Sequence, residues 1–569
     1  MPLPIKRLWS YPAEHISAAG SGGAPGKNIY ATLFWGLFAF SFLSGIWLRF
    51  KLDTLPAATL DTWGFLKPAV CALSGGNFET EFGRPFIYPA FLYGTIGIGG
   101  FRAVTVLQHM SALVAAGLLF GVLLMLRRRQ KGFLPVLLTD AAFWLCITTF
   151  LTNNWHASFE HTLISEAFMP LLCCGVLFCF AGLYCSRENR LRWAVALAAT
   201  GAFSALYQPR WILLAVFCAF CGALSIWRAA VPRGRGLRAC ALPFASLLVL
   251  WLAGKYFSRN DLLAQTTSGD ILFSAHAPAI SRALAAQADK SAGPDAAFLR
   301  GLSAELAVPR SAGYFQWTGA CREIAAHFNY DGGRARAFET RWFLVALARE
   351  PGWYCSKVLR EMGCLYGWSP RMVFGGGTQG LPFAFAMGLG KNGWKPLQGG
   401  WFYGFNSLVD PWWRHSPDAF WQGRWAVCAQ QLHASSQLNG YARELRMSVS
   451  SVDPDGSSAK IGGIAGGLFD NCLYFNIAYY VPGLLLAVLA ALLVTWRGKW
   501  NAGLADLAVL SSFSHLCVFM VAALCSLIFT FEDLRYIIDL NVFMYMAQYC
   551  GLAFIVCSCA VLVKRPSST

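Results

Sequence analysis

The chain has 569 residues, of which 56% are hydrophobic and only 13% are charged. Soluble proteins carry roughly 25% charged residues, so the composition excludes a chain of ordinary soluble domains. The net charge of +17 does not indicate nucleic-acid binding, because the basic residues lie in short clusters between apolar runs and not along one stripe.

The segment up to Lys27 is polar, and its Gly/Ser/Pro stretch is typical of a disordered cytoplasmic tail and not of a cleavable signal. The apolar run that follows is the first of about ten that approach the roughly 20 residues needed to cross a membrane. The predicted spans are 29–48, 101–126, 133–151, 162–184, 193–207, 211–227, 239–257, 473–496, 503–530 and 536–563. The run 193–207 is short, which favours a tilted or partly re-entrant segment.

Basic clusters follow the second, fourth, sixth, eighth and tenth predicted spans. By the positive-inside rule, these loops and both chain ends face the cytoplasm. The short loops on the other side hold little that is basic beyond Arg210 and Arg535. This alternation also supports the number of spans. We predict a multi-pass protein of the bacterial inner membrane whose active site faces the periplasm, with the endoplasmic reticulum as the alternative location.

The spans and the loops divide the chain into four predicted regions. They are a cytoplasmic tail (1–28), a seven-span module with the outer loop 49–100 (29–257), a mixed, mainly helical outer domain (258–471) and a three-span module (472–569). Within the outer domain, 335–364 has an amphipathic helical pattern. The stretch 366–425 is rich in glycine and aromatic residues, which suit either sugar stacking or an interfacial belt on the membrane.

Ionisable residues are predicted to gather at the outer face. They come from the first outer loop and from three later turns on the same side of the membrane. They are Asp53, Asp61, Lys67, Arg84, Glu160, His161, Glu166, Arg210, Glu532, Asp533 and Arg535. Glu166 lies about one turn inside the fourth predicted span, where a charge is costly enough to indicate function. Glu160 and His161 are expected at the surface. Carboxylates serve as general bases or metal ligands and arginines bind phosphate, so the set favours a phosphate-bearing substrate.

Four short motifs carry a family resemblance. The first outer loop reads Asp61-Thr-Trp-Gly-Phe-Leu-Lys-Pro-Ala and then Gly83-Arg-Pro-Phe-Ile-Tyr-Pro-Ala-Phe-Leu92. The later motifs are Phe159-Glu-His-Thr-Leu-Ile-Ser-Glu166-Ala-Phe, Tyr207-Gln-Pro-Arg210-Trp and Phe531-Glu-Asp-Leu-Arg535-Tyr536. In type, order and membrane depth they resemble polyprenyl-phosphate-dependent glycosyltransferases of the GT-C superfamily, which include protein O-mannosyltransferases and aminoarabinose transferases. The resemblance covers the two transmembrane modules and not the outer domain.

The resemblance implies a GT-C-like helical fold and an inverting sugar transfer. Asp61 would be the general base on an acceptor hydroxyl, and Glu166 a second catalytic residue. The implied substrate-binding residues are Lys67, Arg84, Glu160, His161, Arg210, Arg535 and Tyr536, with the arginines on the departing lipid phosphate. The family pattern also contains a short helix in the first outer loop. The implied partners are a polyprenyl-phosphate sugar, membrane lipid and a glycan, lipid or protein acceptor.

The sequence leaves metal dependence and the class of protein open. Asp53 and Asp61 do not form a tight acidic pair, which leaves a requirement for Mg or Mn undecided. An O-antigen ligase or polymerase would use a polyprenyl-diphosphate glycan and would not need Asp61. A transporter or flippase would carry charges along the middle of several spans. In a non-catalytic envelope subunit, the substitution Asp61→Asn would be silent. His109 and His515, within spans, are interpreted as hydrogen-bonded core histidines.

Overall fold

A computed structural model of the protein describes residues 26–50, 54, 56, 62–73, 75–78, 85–186, 188–228, 241–250, 252, 269–308, 319–365, 482–528 and 540–563. Most of these residues are helical, and no strand occurs among them. Seven of the described helices are long and apolar enough to cross a membrane. The prediction of an all-α polytopic membrane protein is confirmed at this level.

The helices are numbered here in chain order. Up to residue 250 they are α1 Gly26–Phe50, α2 Thr62–Leu73, α3 Ile87–Arg127, α4 Phe133–Thr152, α5 Asn154–Glu160, α6 Met169–Cys185, α7 Arg190–Tyr207, α8 Ile212–Trp227 and α9 Ala241–Leu250. The later ones are α10 Gly269–Ala275, α11 Ala277–Ala288, α12 Pro294–Ala307, α13 Ala320–His327, α14 Gly332–Arg349, α15 Pro351–Leu365, α16 Pro482–Trp496, α17 Ala502–Ile528 and α18 Asn541–Val563. Short 3-10 turns, Ser165–Phe168 and Pro209–Trp211, precede α6 and α8.

Seven predicted spans coincide with candidate membrane-spanning helices of the structure. These are α1, α3, α4, α6 with its 3-10 turn, α8 with its 3-10 turn, α17 and α18. The predicted span 193–207 is present as α7, which has 18 residues but is not apolar enough to count among the candidate spans. The described parts of the spans predicted at 239–257 and 473–496 are the shorter helices α9 and α16. The count of ten therefore stays a prediction.

The helix α3 is 41 residues long because two helices join at a kink. At Gly100 the backbone has φ 68° and ψ −168°, a conformation that only glycine adopts readily. The predicted span 101–126 corresponds to the part after the kink. The part before it lies in the predicted outer loop 49–100 and packs against α2. The short helix that the family resemblance implies in this loop is thus present as α2.

Small residues bring α7 and α8 into close contact. A Cβ atom added at Gly222 would lie 3.0 Å from the carbonyl oxygen of Ala194, and one at Gly201 would lie 3.0 Å from the Cβ of Cys218. Glycines let two helix backbones approach in a membrane, where dispersion and packing drive helix association. This packing explains how α7 is held in the bundle despite its modest hydropathy.

The helices between 269 and 365 have an apolar core separate from that of the membrane helices. The two parts meet where Ile528, at the end of α17, packs on this second core. The buried Lys357 on α15 donates from Nζ to the backbone oxygen of Ser526 at 2.7 Å. Carbonyls in the last turn of a helix lack partners within it and attract cations. Lys357 therefore ties α15 to the end of α17.

The amphipathic stretch predicted at 335–364 forms two helices and not one. Proline begins α15 at Pro351, because its ring fits the first turn of a helix but cannot continue one. The helix α14 starts earlier, at an Asp331 whose carboxylate accepts from the backbone nitrogens of Gly333 and Arg334 at 2.9 and 3.1 Å. The predicted aromatic-rich stretch 366–425 and the predicted boundaries at 257/258 and 471/472 lie outside the described residues.

The α7–α8 contact predicts a sharp difference between two glycines. We expect Gly222→Val to lower the free energy of unfolding by about 1–3 kcal/mol, because the new methyl groups meet the α7 backbone. Gly117→Val is the matched control, since a Cβ at Gly117 meets nothing within 4 Å. Thermal unfolding of the two purified variants in the same detergent measures the difference. Equal melting temperatures would show that the α7–α8 contact is looser than described.

Candidate functional site

Buried charged residues lie at both ends of the described membrane helices. At the end formed by the C-terminus of α3, Arg127 Nε lies 3.3 Å from Asp140 Oδ1, and Nε of the partly exposed Arg129 lies 3.4 Å from Oδ1 of the buried Asp506. Asp140 also accepts a hydrogen bond from the Tyr30 hydroxyl. Arg127 and Arg129 belong to the basic cluster that follows the second predicted span, so this end of the helices is the predicted cytoplasmic one. These pairs link α3 to α1, α4 and α17.

An ion pair between Arg49 and Glu160 lies at the opposite end. Arg49 is the last residue but one of α1, and Glu160 is the last residue of α5. Arg49 donates from Nε to Oε2 at 2.6 Å and from Nη2 to Oε1 at 2.7 Å. Its Nη1 donates to the backbone oxygen of Leu151 in α4 at 2.6 Å. Both side chains are at most 1% exposed. The expectation that Glu160 lies at the surface is wrong, because it neutralises a buried arginine.

Two histidines extend this pair. His109 on α3 has its Nδ1 atom 3.1 Å from Glu160 Oε2 and its Nε2 atom 3.4 Å from Nδ1 of His161. His109 is fully buried, as expected for a core histidine, and His161 is buried where a surface position was expected. Burial alone raises the pKa of Glu160, but the Arg49 guanidinium and the His109 ring together hold that pKa below its usual value. The carboxylate is therefore ionised at neutral pH.

The backbone beside Glu160 is held by two further polar side chains. Gln108 on α3 donates from Nε2 to the backbone oxygens of Glu160 and Thr162, at 2.6 and 2.9 Å. Its Oε1 atom accepts from the Tyr88 hydroxyl at 2.7 Å. Tyr88 in turn packs edge-to-face on Phe65 of α2, with ring centroids 5.2 Å apart. The first outer loop is thus joined to the segment that carries Glu160 and His161.

A second ion pair lies on the same segment. Arg210 Nη2 lies 3.4 Å from Glu166 Oε1, and both side chains are buried. The two 3-10 turns that precede α6 and α8 present these residues to each other. Ser165 donates to Glu166 Oε2 at 3.0 Å and accepts from Gln208 Nε2. The structure therefore brings together two residues that the sequence predicted separately.

The remaining predicted site residues divide into two groups. Asp61, Arg84, Arg535 and Tyr536, with Asp53, Glu532 and Asp533, lie outside the described residues, and their roles stay predictions. Lys67 is described, half-buried on α2. Where the chain is described, no group of three or more His, Cys, Asp or Glu residues has the arrangement of a metal site. The question of Mg or Mn stays open.

Sequence reasoning missed Arg49, Gln108 and Tyr88 as members of this site. Arg49 directly follows Leu48, the last residue of the first predicted span. Its signal was a basic residue at the start of the predicted outer loop, where the positive-inside rule predicts few arginines. The signal for Gln108 was its position beside His109, two adjacent polar residues within an apolar run.

The arrangement offers an anion-binding arginine beside a carboxylate and, a few residues away, a chain of a carboxylate and two imidazoles. Such groups can bind phosphate and move protons. Comparison of the chain with protein-family models, curated proteins and solved structures finds no match. The likeness to the GT-C superfamily therefore rests on the quoted motifs alone.

The Arg49–Glu160 pair predicts strong coupling between two positions. We expect Glu160→Gln or Arg49→Gln to lower the free energy of unfolding by about 3–5 kcal/mol, because each leaves a buried charge without its partner. The double variant Arg49→Gln with Glu160→Gln removes both charges and should lose less than the sum of the single variants. Thermal unfolding of the four proteins in lipid nanodiscs measures this coupling.

The matched control is the exposed pair of Arg282 and Glu350, whose side chains are 50% and 28% exposed. The same chemical change there, Glu350→Gln, should cost at most about 1 kcal/mol. If Glu160→Gln is as mild as Glu350→Gln, the pair at Glu160 is not the structural centre described above.

Proposed function

We propose that the protein is a GT-C-like membrane glycosyltransferase that moves a sugar from a polyprenyl-phosphate donor to a glycan, lipid or protein acceptor in the cell envelope. Its proposed location is the bacterial inner membrane, with the active site facing the periplasm. The observation that carries the proposal is the contact of Glu166 with Arg210 at 3.4 Å. These residues come from separate motifs of the family resemblance. A likeness built on short motifs gains weight when the motifs meet in space.

The geometry of this contact suits a phosphate-bearing substrate. The 3.4 Å separation of Arg210 and Glu166 is longer than the 2.6 and 2.7 Å contacts of Arg49 with Glu160. A looser ion pair lets the guanidinium turn from the carboxylate to a phosphate, which it binds through two parallel hydrogen bonds. Burial strengthens that interaction, because little water screens it. Arg210 thus has the properties needed to stabilise a departing lipid phosphate.

The proposed reaction is an inverting displacement. Asp61 takes the proton of an acceptor hydroxyl, whose oxygen attacks the anomeric carbon while the bond from that carbon to the phosphate oxygen breaks. Arg84, Arg210 and Arg535 stabilise the negative charge on the phosphate, and Lys67 and Tyr536 bind the substrate.

The contacts around the first outer loop support the role of this loop. Asp61 directly precedes α2 in the sequence, and Phe65 of α2 packs on Tyr88. Tyr88 leads through Gln108 to the backbone of Glu160. The neighbours of the proposed base are therefore joined to the polar site.

A transporter or flippase fits the buried charges less well. Charged residues that line a path are spread along the middle of spans, whereas the described ion pairs lie at the two ends of the helices. His109 and Arg127 are 18 residues apart on α3, which corresponds to about 27 Å of helix. A ligase or polymerase that uses a polyprenyl-diphosphate glycan is the nearest alternative enzyme, and donor chemistry separates it from the proposal.

The proposal predicts transfer that depends on Asp61, Glu166 and Arg210. Purified protein in lipid would be supplied with a panel of radiolabelled polyprenyl-phosphate sugars and envelope acceptors. We expect Asp61→Asn to lower the transfer rate by about 10²–10⁴-fold, as for loss of a general base. Arg210→Lys should lower it by about 10²-fold or more, because lysine keeps the charge but loses the bidentate contact. Glu166→Gln should also lower the rate.

Arg322→Lys, an exposed substitution on α13, is the matched control and should leave the rate unchanged. Label that moves only from diphosphate-linked glycans would favour the ligase. Equal transfer by wild type and Asp61→Asn would show that the base is another residue.

A further inference from the structure

Three buried side chains near the start of α18 have polar atoms without a hydrogen-bond partner in the described part of the chain. These atoms are both ring nitrogens of His156, the amide nitrogen and oxygen of Asn541, and Nε1 of Trp211. The three residues are at most 1% exposed. A buried polar atom without a partner lowers the stability of a protein, so its presence needs a reason, such as a ligand or a buried water.

We propose that His156, Asn541 and Trp211 form a subsite that binds the hydroxyl groups of the sugar on the donor lipid. The identity of this ligand rests on the proposed function, which supplies a sugar bonded to a phosphate. The unpartnered atoms themselves are independent of that function. None of the three residues takes part in the proposed reaction as described above.

The contacts of α18 place the three residues around its first two turns. The His156 ring lies edge-to-face on Tyr545, with ring centroids 6.3 Å apart. Asn541 precedes Tyr545 by four residues, so these two side chains lie one turn apart on the same face of α18. Trp211 packs on Phe543, with 6.1 Å between ring centroids. The three residues therefore surround the start of one helix, although they come from distant parts of the sequence.

This group of residues borders both ion pairs of the polar site. His156 is four residues before Glu160 on α5, and Trp211 directly follows Arg210. Arg210 is the proposed ligand of the donor phosphate. Because the sugar is bonded to that phosphate, a phosphate held by Arg210 places the sugar next to the residues around the start of α18.

The three side chains have the chemistry of a site for neutral hydroxyl groups. Burial lowers the pKa of His156 to about 4, so its ring is uncharged near neutral pH, with one nitrogen as donor and the other as acceptor. The amide of Asn541 donates and accepts, and the indole of Trp211 donates. A hydroxyl group also donates and accepts, whereas an ionised phosphate only accepts and is bound best by cations.

The surroundings of these atoms are aromatic. Phe150 packs edge-to-face on the His156 ring at 5.1 Å, and Tyr545 and Phe543 belong to the same region. Small-molecule sites are commonly lined in this way, by aromatic and apolar side chains with a few polar groups that orient the ligand. Because the polar atoms are enclosed, neighbouring side chains must move aside when the sugar enters, as in other enclosed sites.

The unpartnered atoms predict opposite effects of one substitution at two buried asparagines. We expect Asn541→Leu to raise the melting temperature by roughly 2–4 °C, because leucine has the same branched skeleton and needs no hydrogen bond. Asn153→Leu is the matched control and should lower it. Asn153 donates to the Tyr545 hydroxyl at 3.1 Å and accepts from the backbone nitrogen of His156 at 3.3 Å. Thermal unfolding in lipid nanodiscs measures both variants.

A fall in Asn541→Leu as large as that in Asn153→Leu would show that buried water already completes the hydrogen bonds of Asn541. That result would overturn the proposal.

Donor binding separates the sugar subsite from the phosphate site. Purified protein in detergent would be titrated with radiolabelled short-chain polyprenyl phosphate and with the same lipid carrying each sugar of the panel. We expect Asn541→Leu and His156→Phe to weaken binding of a sugar-bearing lipid by about 3–10-fold and to leave binding of bare polyprenyl phosphate unchanged. Arg210→Lys should weaken binding of both lipids. His327→Phe, which changes an exposed histidine of α13, should weaken neither.

The two proposals fail in different ways. Equal effects of Asn541→Leu and His156→Phe on both kinds of lipid would overturn the sugar subsite. So would a wild-type protein that binds no sugar-bearing lipid more tightly than bare polyprenyl phosphate. Sugar transfer at the wild-type rate by both variants would overturn the subsite and leave the proposed function in place. If wild type prefers a sugar-bearing lipid but transfers no sugar, the proposed function fails and the subsite stands.

Discussion

The architecture depends on the requirement that a charge within a membrane protein has a partner inside the protein. Arg49 meets that requirement with Glu160, a residue 111 positions away in the sequence, and with the backbone of Leu151. A lipid environment offers no water to replace these contacts. Because Glu160 is held in this way, it can orient His109 in turn. The ion pair and its hydrogen bonds thus join α1, α3, α4 and α5 and hold the polar site in place.

The same requirement acts at the other end of the bundle. Arg127 is the last residue of the long helix α3 and Arg129 lies in the turn that follows, and each meets an aspartate from a different helix. The two polar ends fix how far the helices can slide past one another, since a shift by one turn would separate every pair. The apolar middle of the helices contributes packing but does little to fix their axial positions, because one apolar contact resembles the next. A few charged residues therefore determine the relative positions of the helices.

Hydropathy predicted seven of the membrane helices well, because lipid dictates both the length and the composition of a span. Hydropathy could not predict which charged side chains pair with each other. Asp140 lies within the predicted span 133–151 and Arg49 just after the predicted span 29–48, and only the packing of distant residues determines which ion pairs they form. The kink at Gly100 was missed because glycine is also common in straight membrane helices. Glu166 and Arg210 were predicted individually from depth and loop charge, but their contact needed the fold. Asp61, Arg84, Arg535 and Tyr536 remain predictions.

The contact between Lys357 and Ser526 has a consequence for biosynthesis. The two residues are 169 positions apart, and a ribosome that adds about 5–20 residues per second needs roughly 10–30 s to pass from one to the other. The helices between 269 and 365 can close their own apolar core within that interval, before α17 exists. Lys357 is then exposed on these helices until the end of α17 is synthesised and covers it. The helices between 269 and 365 thereby form a docking site before the late membrane segments are made, and the order of translation becomes part of how the bundle is assembled.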